Sequence, residues 1–362
     1  MCLSATLTSC DRRSIELLAA AQNPASSDAG TQGEGDAHTA PQPDAGGGGG
    51  GLLDGGRRSD SGVGGDGDAG GSGAPPDAGA REPPVWVNQM PLPVARGAIG
   101  AATAYNGVIH LVGGDTTYEG TTPDTTHRAY DIDTGGYTLR EAAPDNHQWG
   151  PCVVAHGRQL YSFGGWKGDG KAMRRYDPAT NKWSYLAPCP RKHVYGSACG
   201  VADGVIYIVA GSEDAQRDRD TDAVDAYNIS TNSWTERASF PVKQRHVSGA
   251  MIGTRLYVVG RGANLDVYDT VTNKWSLGPS IGRDARHASA VEYGGSLYVF
   301  GGVGAMNADR LDFPALVWGA LPPISSPRTH AALAVVANEI HLFGGFDPDD
   351  KAIATHETLI IP

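Results

Sequence analysis

Six short segments concentrate the basic chemistry of this chain: PVARGA with Arg96, PDNHQW with His147, PRKHVY with Arg191 and His193, KQRHVS with Arg245 and His246, DARHAS with Arg286 and His287, and SPRTHA with Arg328 and His330. They hold five of the eleven histidines. A guanidinium grips carboxylate or phosphate through two parallel hydrogen bonds, and an imidazole changes charge near neutral pH. Gathered at one place, these side chains would make an anion site with a pH dependence. Arg261, in RLYVVGRG, is a further candidate cation.

The stretches between the segments decide whether they can meet. Each segment precedes an apolar, alternating run that ends in small residues: VIHLVGGD, QLYSFGGW, VIYIVAGS, RLYVVGRG, SLYVFGGV and EIHLFGGF. The second position of the glycine pair falls at 114, 165, 211, 261, 302 and 345. Spacings of roughly 40 to 50 residues fit propeller blades better than helical solenoids. Each unit reads as four strands, because alternation broken by glycine turns is a strand signature and no helical period appears. A second fixed spacing supports the alignment: YDPATNKW, YNISTNSW and YDTVTNKW, with weaker forms YDIDTGGY and LDFPALVW. Asp and Asn suit the turn between strands three and four because they bond nearby backbone and tolerate left-handed geometry. The Tyr and Trp residues are expected to be buried between neighbouring units.

A diglycine after a strand, then Tyr-Asp, then Trp six residues later, repeated, resembles the kelch family of β-propellers. The resemblance covers residues 85–362 and implies an all-β fold, a six-bladed ring of four-stranded antiparallel sheets around a central channel. Departures are Ala210 for the first glycine of the third copy, Arg261 for the second of the fourth, and Tyr137 for the first tryptophan. The sixth copy stops after HETLIIP, while VWVNQMPLP at 85–93 carries the missing Trp86. The N-terminal strand is therefore expected to complete the last blade and remove an open sheet edge.

In such a blade the loops joining strands two and three emerge on the same face as the inter-blade segments. The eleven candidate ligand residues named above would then ring the channel mouth. Asp115, Glu119, Asp169, Glu213, Asp214 and Asp347 lie in the strand-two-to-three loops, where they pair with the arginines or stand as solvated charge. The leading expectation is a binding module, with no cofactor, for an anionic protein, peptide or glycan. Some kelch propellers resemble sugar mutarotases; that alternative, acting on sialic-acid-like sugars, would use Glu213 or His193 for proton transfer. Others resemble copper radical oxidases of the galactose-oxidase type, for which Tyr195, His193 and His246 are the candidates. The arginines are also candidates for bonding neighbouring blades together.

Residues 22–84 are poor in large apolar side chains and carry a GGGGGG run and four DAG units, so they are expected to be a disordered linker. The glycine run is not a phosphate loop, since no helix signal follows it. The net charge of −11 divides unevenly: residues 1–84 have 12 acidic against 5 basic residues, and 85–362 have 28 against 24. That near-balance gives no case for nucleic-acid binding, and no apolar run approaches about 18 residues. In residues 1–21, LTSC resembles a lipobox with Cys10 as the lipid-bearing residue, and RRSIELLAAAQ resembles part of an export signal. The expectation is an extracytoplasmic protein, attached to a membrane through Cys10. The five cysteines show no metal-ligand spacing; Cys152 and Cys199 are expected to be small buried residues on inner strands rather than a disulfide.

Overall fold

A computed structural model of the protein describes residues 82–103, 107–118, 125–145, 149–166, 170–214 and 219–362. The expected linker up to residue 81, Cys10, His147, Glu119 and Asp169 lie outside the described residues. The described part contains 24 strands and no helix. They form six antiparallel four-stranded sheets, the blades of a β-propeller. Blade 1 runs from β2 (Gly100–Thr103) to β5 (Gly136–Leu139), blade 2 from β6 (Cys152–His156) to β9 (Lys182–Tyr185), and blade 3 from β10 (Ala198–Ala202) to β13 (Ser233–Glu236). Blade 4 runs from β14 (Ser248–Ile252) to β17 (Lys274–Leu277), and blade 5 from β18 (Ser289–Tyr293) to β21 (Val317–Ala320). Blade 6 is β22 (Ala332–Val336), β23 (Glu339–Phe343) and β24 (His356–Ile360), completed by β1 (Val85–Asn88). Trp86 lies opposite Leu359 in that pairing, so both ends of the folded part close one sheet, as the sequence predicts.

The second strands explain their unbroken apolar character. SLYVF of blade 5 is buried along its whole length because neighbouring sheets cover both faces, whereas fourth strands such as SWTE are largely exposed. The inner strands carry small residues because six of them crowd around the channel. A Cβ on Gly100 would lie 2.3 Å from Val153 Cγ2, and one on Gly249 3.1 Å from Ala198 Cβ. The channel they line holds about 450 Å³.

The repeated Tyr, Asn and Trp form the inter-blade fastening. The tryptophan Nε1–H of one blade donates to a carbonyl of the blade before: Trp183 to Glu141 (2.9 Å), Trp234 to Ala187 (2.7 Å), Trp275 to Ala238 (3.0 Å), Trp318 to Pro279 (3.0 Å) and Trp86 to Pro322 (2.8 Å). Where blade 1 has Tyr137, its hydroxyl donates to Met90 O and keeps the pattern. The turn asparagines Asn181, Asn232 and Asn273 adopt φ of 51–55°. Each accepts from its blade's tyrosine hydroxyl and from a backbone N–H of the preceding blade, as Asn232 does from Tyr227 and Ala187. The glycine pairs fit just as closely: in blade 6 a Cβ on Gly344 would lie 2.1 Å from Arg96 O, and one on Gly345 2.7 Å from Thr329 O.

One expectation is corrected. Cys152 of β6 and Cys199 of β10 form a disulfide, with Cα atoms 6.1 Å apart. They stand on inner strands of adjacent blades that converge on the channel, which brings two small residues within bonding reach. Cys189 is buried and free. The bridge closes a 47-residue separation, which on the chain-entropy account contributes about 4 kcal/mol. A thiol reductant should lower the unfolding temperature of the wild-type protein and leave that of the Cys152→Ser/Cys199→Ser protein unmoved. Equal melting of the wild type with and without reductant would contradict this.

Candidate functional site

The residues expected to form one ring at the mouth fall into two groups. Three of the six expected arginines, Arg191, Arg261 and Arg328, are turned into the blades, where each meets a carboxylate on the third strand two residues before the repeated aromatic or leucine position. In blade 3, Arg191 donates Nε to Asp225 Oδ2 (3.0 Å) and Nη2 to Asp225 Oδ1 (3.1 Å) and to Val224 O (2.7 Å), while Nη1 reaches Glu236. His193 joins the same carboxylate through Nε2 at 2.8 Å, and its Nδ1 lies 2.7 Å from Ala210 O. Burial pushes the Asp225 pKa up, but the hydrogen bonds from His193 and Arg191 outweigh it and hold the carboxyl below the usual range. In blade 5 the partner of Asp309 is Arg283 (2.7 Å). In blade 6 Arg328 and Glu357 pair at 2.7 Å, both side chains 1% exposed. Blade 2 exchanges the charges: Arg174 stands on the third strand and Asp145 in the preceding loop, 2.9 Å apart. Arg96 is also buried and donates to Gly113 O.

Arg261 belongs with these cations. The sequence places it at the glycine position facing an incoming ligand. In the structure β15 (Arg255–Arg261) continues through it, with a register shift between Val258 and Arg261, and it pairs with Asn264 across a tight hairpin. Its guanidinium makes two bonds to Asp266 (3.0 and 2.6 Å). Asp266 is the third-strand acid that a preceding-loop arginine holds in blades 3, 5 and 6, so Arg261 replaces that arginine from a different strand.

The histidines behave differently. The residue two places before the first strand adopts positive φ in every blade: Ala98 (50°), Gly150 (62°), Gly196 (69°), His246 (58°), His287 (60°) and His330 (52°). Left-handed backbone costs a residue with a Cβ about 1–2 kcal/mol. Three successive blades nevertheless place histidine there, and this backbone turns the rings onto the channel axis. Ring centroids of His246 and His287 are 4.5 Å apart, His287 and His330 4.7 Å, and His246 and His330 4.9 Å. Trp149 of the loop before blade 2 reaches His330 (4.8 Å), His246 (5.2 Å) and Tyr195 (5.4 Å). Rings from blades 2, 3, 4, 5 and 6 thus meet across the axis and close the mouth. His287 has its pKa lowered to about 4, first by burial and then by Arg286, with Asp284 opposing and Arg245 adding to the shift.

Arg245 and Arg286 remain on the surface of this face. Arg245 pairs with Asp220 (2.7 Å). Arg286 pairs with Asp284 (2.6 Å), with its side chain more than half exposed. The set proposed for copper does not assemble: Tyr195 and His246 are neighbours, with centroids 5.6 Å apart, but His193 is buried against Asp225 inside blade 3. The same burial takes His193 out of reach of a sugar. Asp115 is buried and accepts from Thr117, Asp214 pairs with Arg219, and Asp347 caps its own turn by accepting from Asp349 and Lys351. Glu213 is half-buried, its backbone N–H bonded to Arg219 O.

Sequence reasoning passed over Arg174 and Arg283 as structural cations and Trp149 and Phe346 as ring partners at the mouth. The signal for the arginines was the third-strand position itself, which is acidic where the preceding loop supplies Arg and basic where it supplies Asp145. For Trp149 the repeat carried no signal, since that place holds Gly97, Tyr195, Arg245, Arg286 and Thr329 in other blades.

Comparison with known proteins agrees with this architecture. Residues 98–302 match a family model described as the KLHDC2/KLHL20/DRC7 Kelch-repeats domain. The chain is similar to Kelch-like protein 40 of Xenopus tropicalis, 31% identical over 180 residues that make up 48% of this chain and 28% of that protein. It is also similar to Kelch-like protein terF of Aspergillus terreus, 27% identical over 44% of this chain and 38% of that protein. The chain therefore spans well under half the length of these curated relatives. A solved structure described as "Structure of YjhT" superposes with a TM-score of 0.63 at 15% identity, covering 75% of this chain and 97% of the other, which supports the fold alone. The repeat seen in the glycine pairs, its closure by both ends of the folded part, and the family match over more than half the chain lead to one statement: this protein belongs to the kelch-repeat family of β-propellers.

Proposed function

We propose that the propeller is a binding module that takes an acidic segment of a partner protein or peptide against the mouth face. The observation that carries this is Trp149: its indole is 2% exposed and its Nε1–H has no acceptor. A buried donor without a partner costs about 1–3 kcal/mol, and a ligand carbonyl or carboxylate would satisfy it once the rings packed on the indole turn aside. Arg286 stands on the same face in an exposed ion pair, which is worth little and exchanges readily for a ligand carboxylate, with Arg245 beside it in a half-buried pair with Asp220. The rings fill the axis, which favours a surface contact over capture of a sugar in a deep pocket. The reading includes display outside the cytoplasm: the Cys152–Cys199 disulfide suits an oxidising compartment, and the LTSC segment suits attachment through Cys10.

The test uses a Glu-rich decapeptide and a Lys-rich one, titrated while tryptophan fluorescence is followed. Saturable binding of the acidic peptide alone is expected, reduced at least tenfold in Arg245→Ala/Arg286→Ala with little change in unfolding temperature. Equal binding of both peptides, or an unaffected double variant, would overturn the reading.

A further inference from the structure

Exposed apolar side chains are unevenly shared around the ring. Among the described residues, eight of the thirteen large ones stand on blades 5 and 6 and the segments leading from them, with Leu316 48% and Val317 62% exposed. The outer strands differ in charge as well. Those of blades 2, 3 and 4 carry Lys182, Glu236 and Lys274, and β5 of blade 1 runs into Arg140. The outer strand of blade 5 carries no charge, and neither does any residue from Phe313 to Pro327. Charged side chains are a usual guard of an exposed sheet edge against pairing with another chain. We propose that β21 (Val317–Ala320) is a dimerisation edge, at which blade 5 pairs antiparallel with blade 5 of a second copy of this chain.

The existing ladder sets the register of that pairing. β21 lies against β20 (Ala308–Asp312) with Arg310 opposite Gly319 and Asp309 opposite Ala320, and the Leu321 N–H donates to Ala308 O. Hydrogen-bonded positions alternate in an antiparallel ladder, so Val317, Gly319 and Leu321 turn their backbone groups inward. Trp318 and Ala320 point theirs outward, from the last strand of the sheet. Two such edges match when Trp318 of each copy bonds with Ala320 of the other, which sets the twofold axis at Gly319. A residue on that axis meets its own copy, where any charge would face its like. Gly319 brings none, and the place is open, since a Cβ there would meet nothing within 4 Å. Val317 of one copy then lies across from Leu321 of the other and loses its exposure to water.

This edge lies on the rim of the propeller, so the inference stands apart from the acidic-ligand reading of the mouth. Sedimentation velocity of the full chain from about 5 to 500 µM should show monomer passing to dimer with Kd of about 50 µM, since a single paired edge is at the small end of specific interfaces. Gly319→Lys and Gly319→Glu each place like charges on the axis. Both should stay monomeric over the whole range, with the small change in unfolding temperature usual for exposed substitutions. Mixed in equal amounts they should form a dimer again, because the axis then joins Lys to Glu. Wild type that is monomeric at every concentration would overturn the proposal, as would a dimer that either variant leaves intact or a mixture that fails to associate. If a Gly319 variant unfolds, Val317→Lys, which sets a charge against Leu321 of the second copy, takes its place in the concentration series.

Discussion

Lowering the pH from 7 to 5 should cost the propeller about 6 kcal/mol at its buried histidine pairs alone, a large part of the 5–15 kcal/mol that holds an ordinary domain folded. The cause is two buried histidine pairs in the blades that meet at the closure. In blade 1 His110 Nδ1 lies 2.8 Å from His127 Nε2, and in blade 6 His341 Nδ1 lies 3.0 Å from His356 Nε2. Burial lowers the pKa of His110 to about 4, helped by Arg140. Burial lowers that of His127 to about 3, aided by His110 and Arg140 and opposed by its bond to the Glu141 carbonyl. Burial likewise lowers His356 to about 3, aided by His341 and opposed by the Met90 carbonyl.

The sign follows from the unfolded value of 6.5. An unfolded chain takes up these protons below pH 6.5 while the folded one does not, so stability falls as the pH drops below 6.5 and levels off only near the folded values. At pH 5 each group contributes about 2 kcal/mol of loss, since one pKa unit is worth 1.36 kcal/mol. Carboxylates held low, Asp225 and Asp145, act in a different window: their contribution is lost only below their unfolded value of 3.8. Urea unfolding measured between pH 7.5 and 4.5 separates the two. A steep decline below pH 6.5, reduced in His127→Gln/His356→Gln, is expected; a flat profile down to pH 5 would contradict the assignment.

Arg328→Ala should destabilise the protein by about 3–5 kcal/mol, because it leaves a buried carboxylate without its partner. Glu357 is 1% exposed and otherwise accepts from the Ser325 backbone N–H. Arg328 also donates to the hydroxyls of Ser325 and Ser326, so one side chain fastens the loop before β22 to β24. Burial lowers its pKa against the pull of Glu357, a direction consistent with a charge removed from water. Replacing both partners, as Arg328→Met/Glu357→Met, removes both buried charges and should recover most of the loss. A single-variant cost below about 1 kcal/mol would show that the pair is not fastening the blade.

How far the sequence reveals this structure differs between its parts. The period, the four strands per blade and the closure through Trp86 are all legible, because each rests on a spacing that repeats. The Tyr-to-Asn and Trp-to-carbonyl bonds repeat with it, and Tyr137 shows that the hydroxyl replaces the indole without breaking the ring. The direction of a side chain in a loop is not written in spacing. Arg191 and Arg286 both stand a few residues before a first strand, yet one is held by Asp225 inside the blade and the other faces water beside Asp284. What separates them is register: Arg286 is three residues before its strand and Arg191 seven. The left-handed backbone that brings His246, His287 and His330 together is also silent in the sequence, since glycine at that place in blades 2 and 3 is its only trace. The disulfide needs two strands 47 residues apart to be neighbours, which only the assembled ring shows.

The buried arginines hold the blades together, and the three histidine rings lie on the proposed binding face, where they contribute little to stability. The most direct measurement is the thermal unfolding of two proteins side by side, Arg328→Ala and His246→Gly/His287→Gly/His330→Gly, by calorimetry at pH 7.5. For a domain of this size each kcal/mol moves the midpoint by roughly 2–4 °C. The arginine variant should unfold about 10 °C below wild type, and the triple glycine protein within about 4 °C of it, since relief of three left-handed side chains offsets lost ring packing. The reverse order, an unaffected Arg328→Ala and a triple variant that melts far below wild type, would contradict the account.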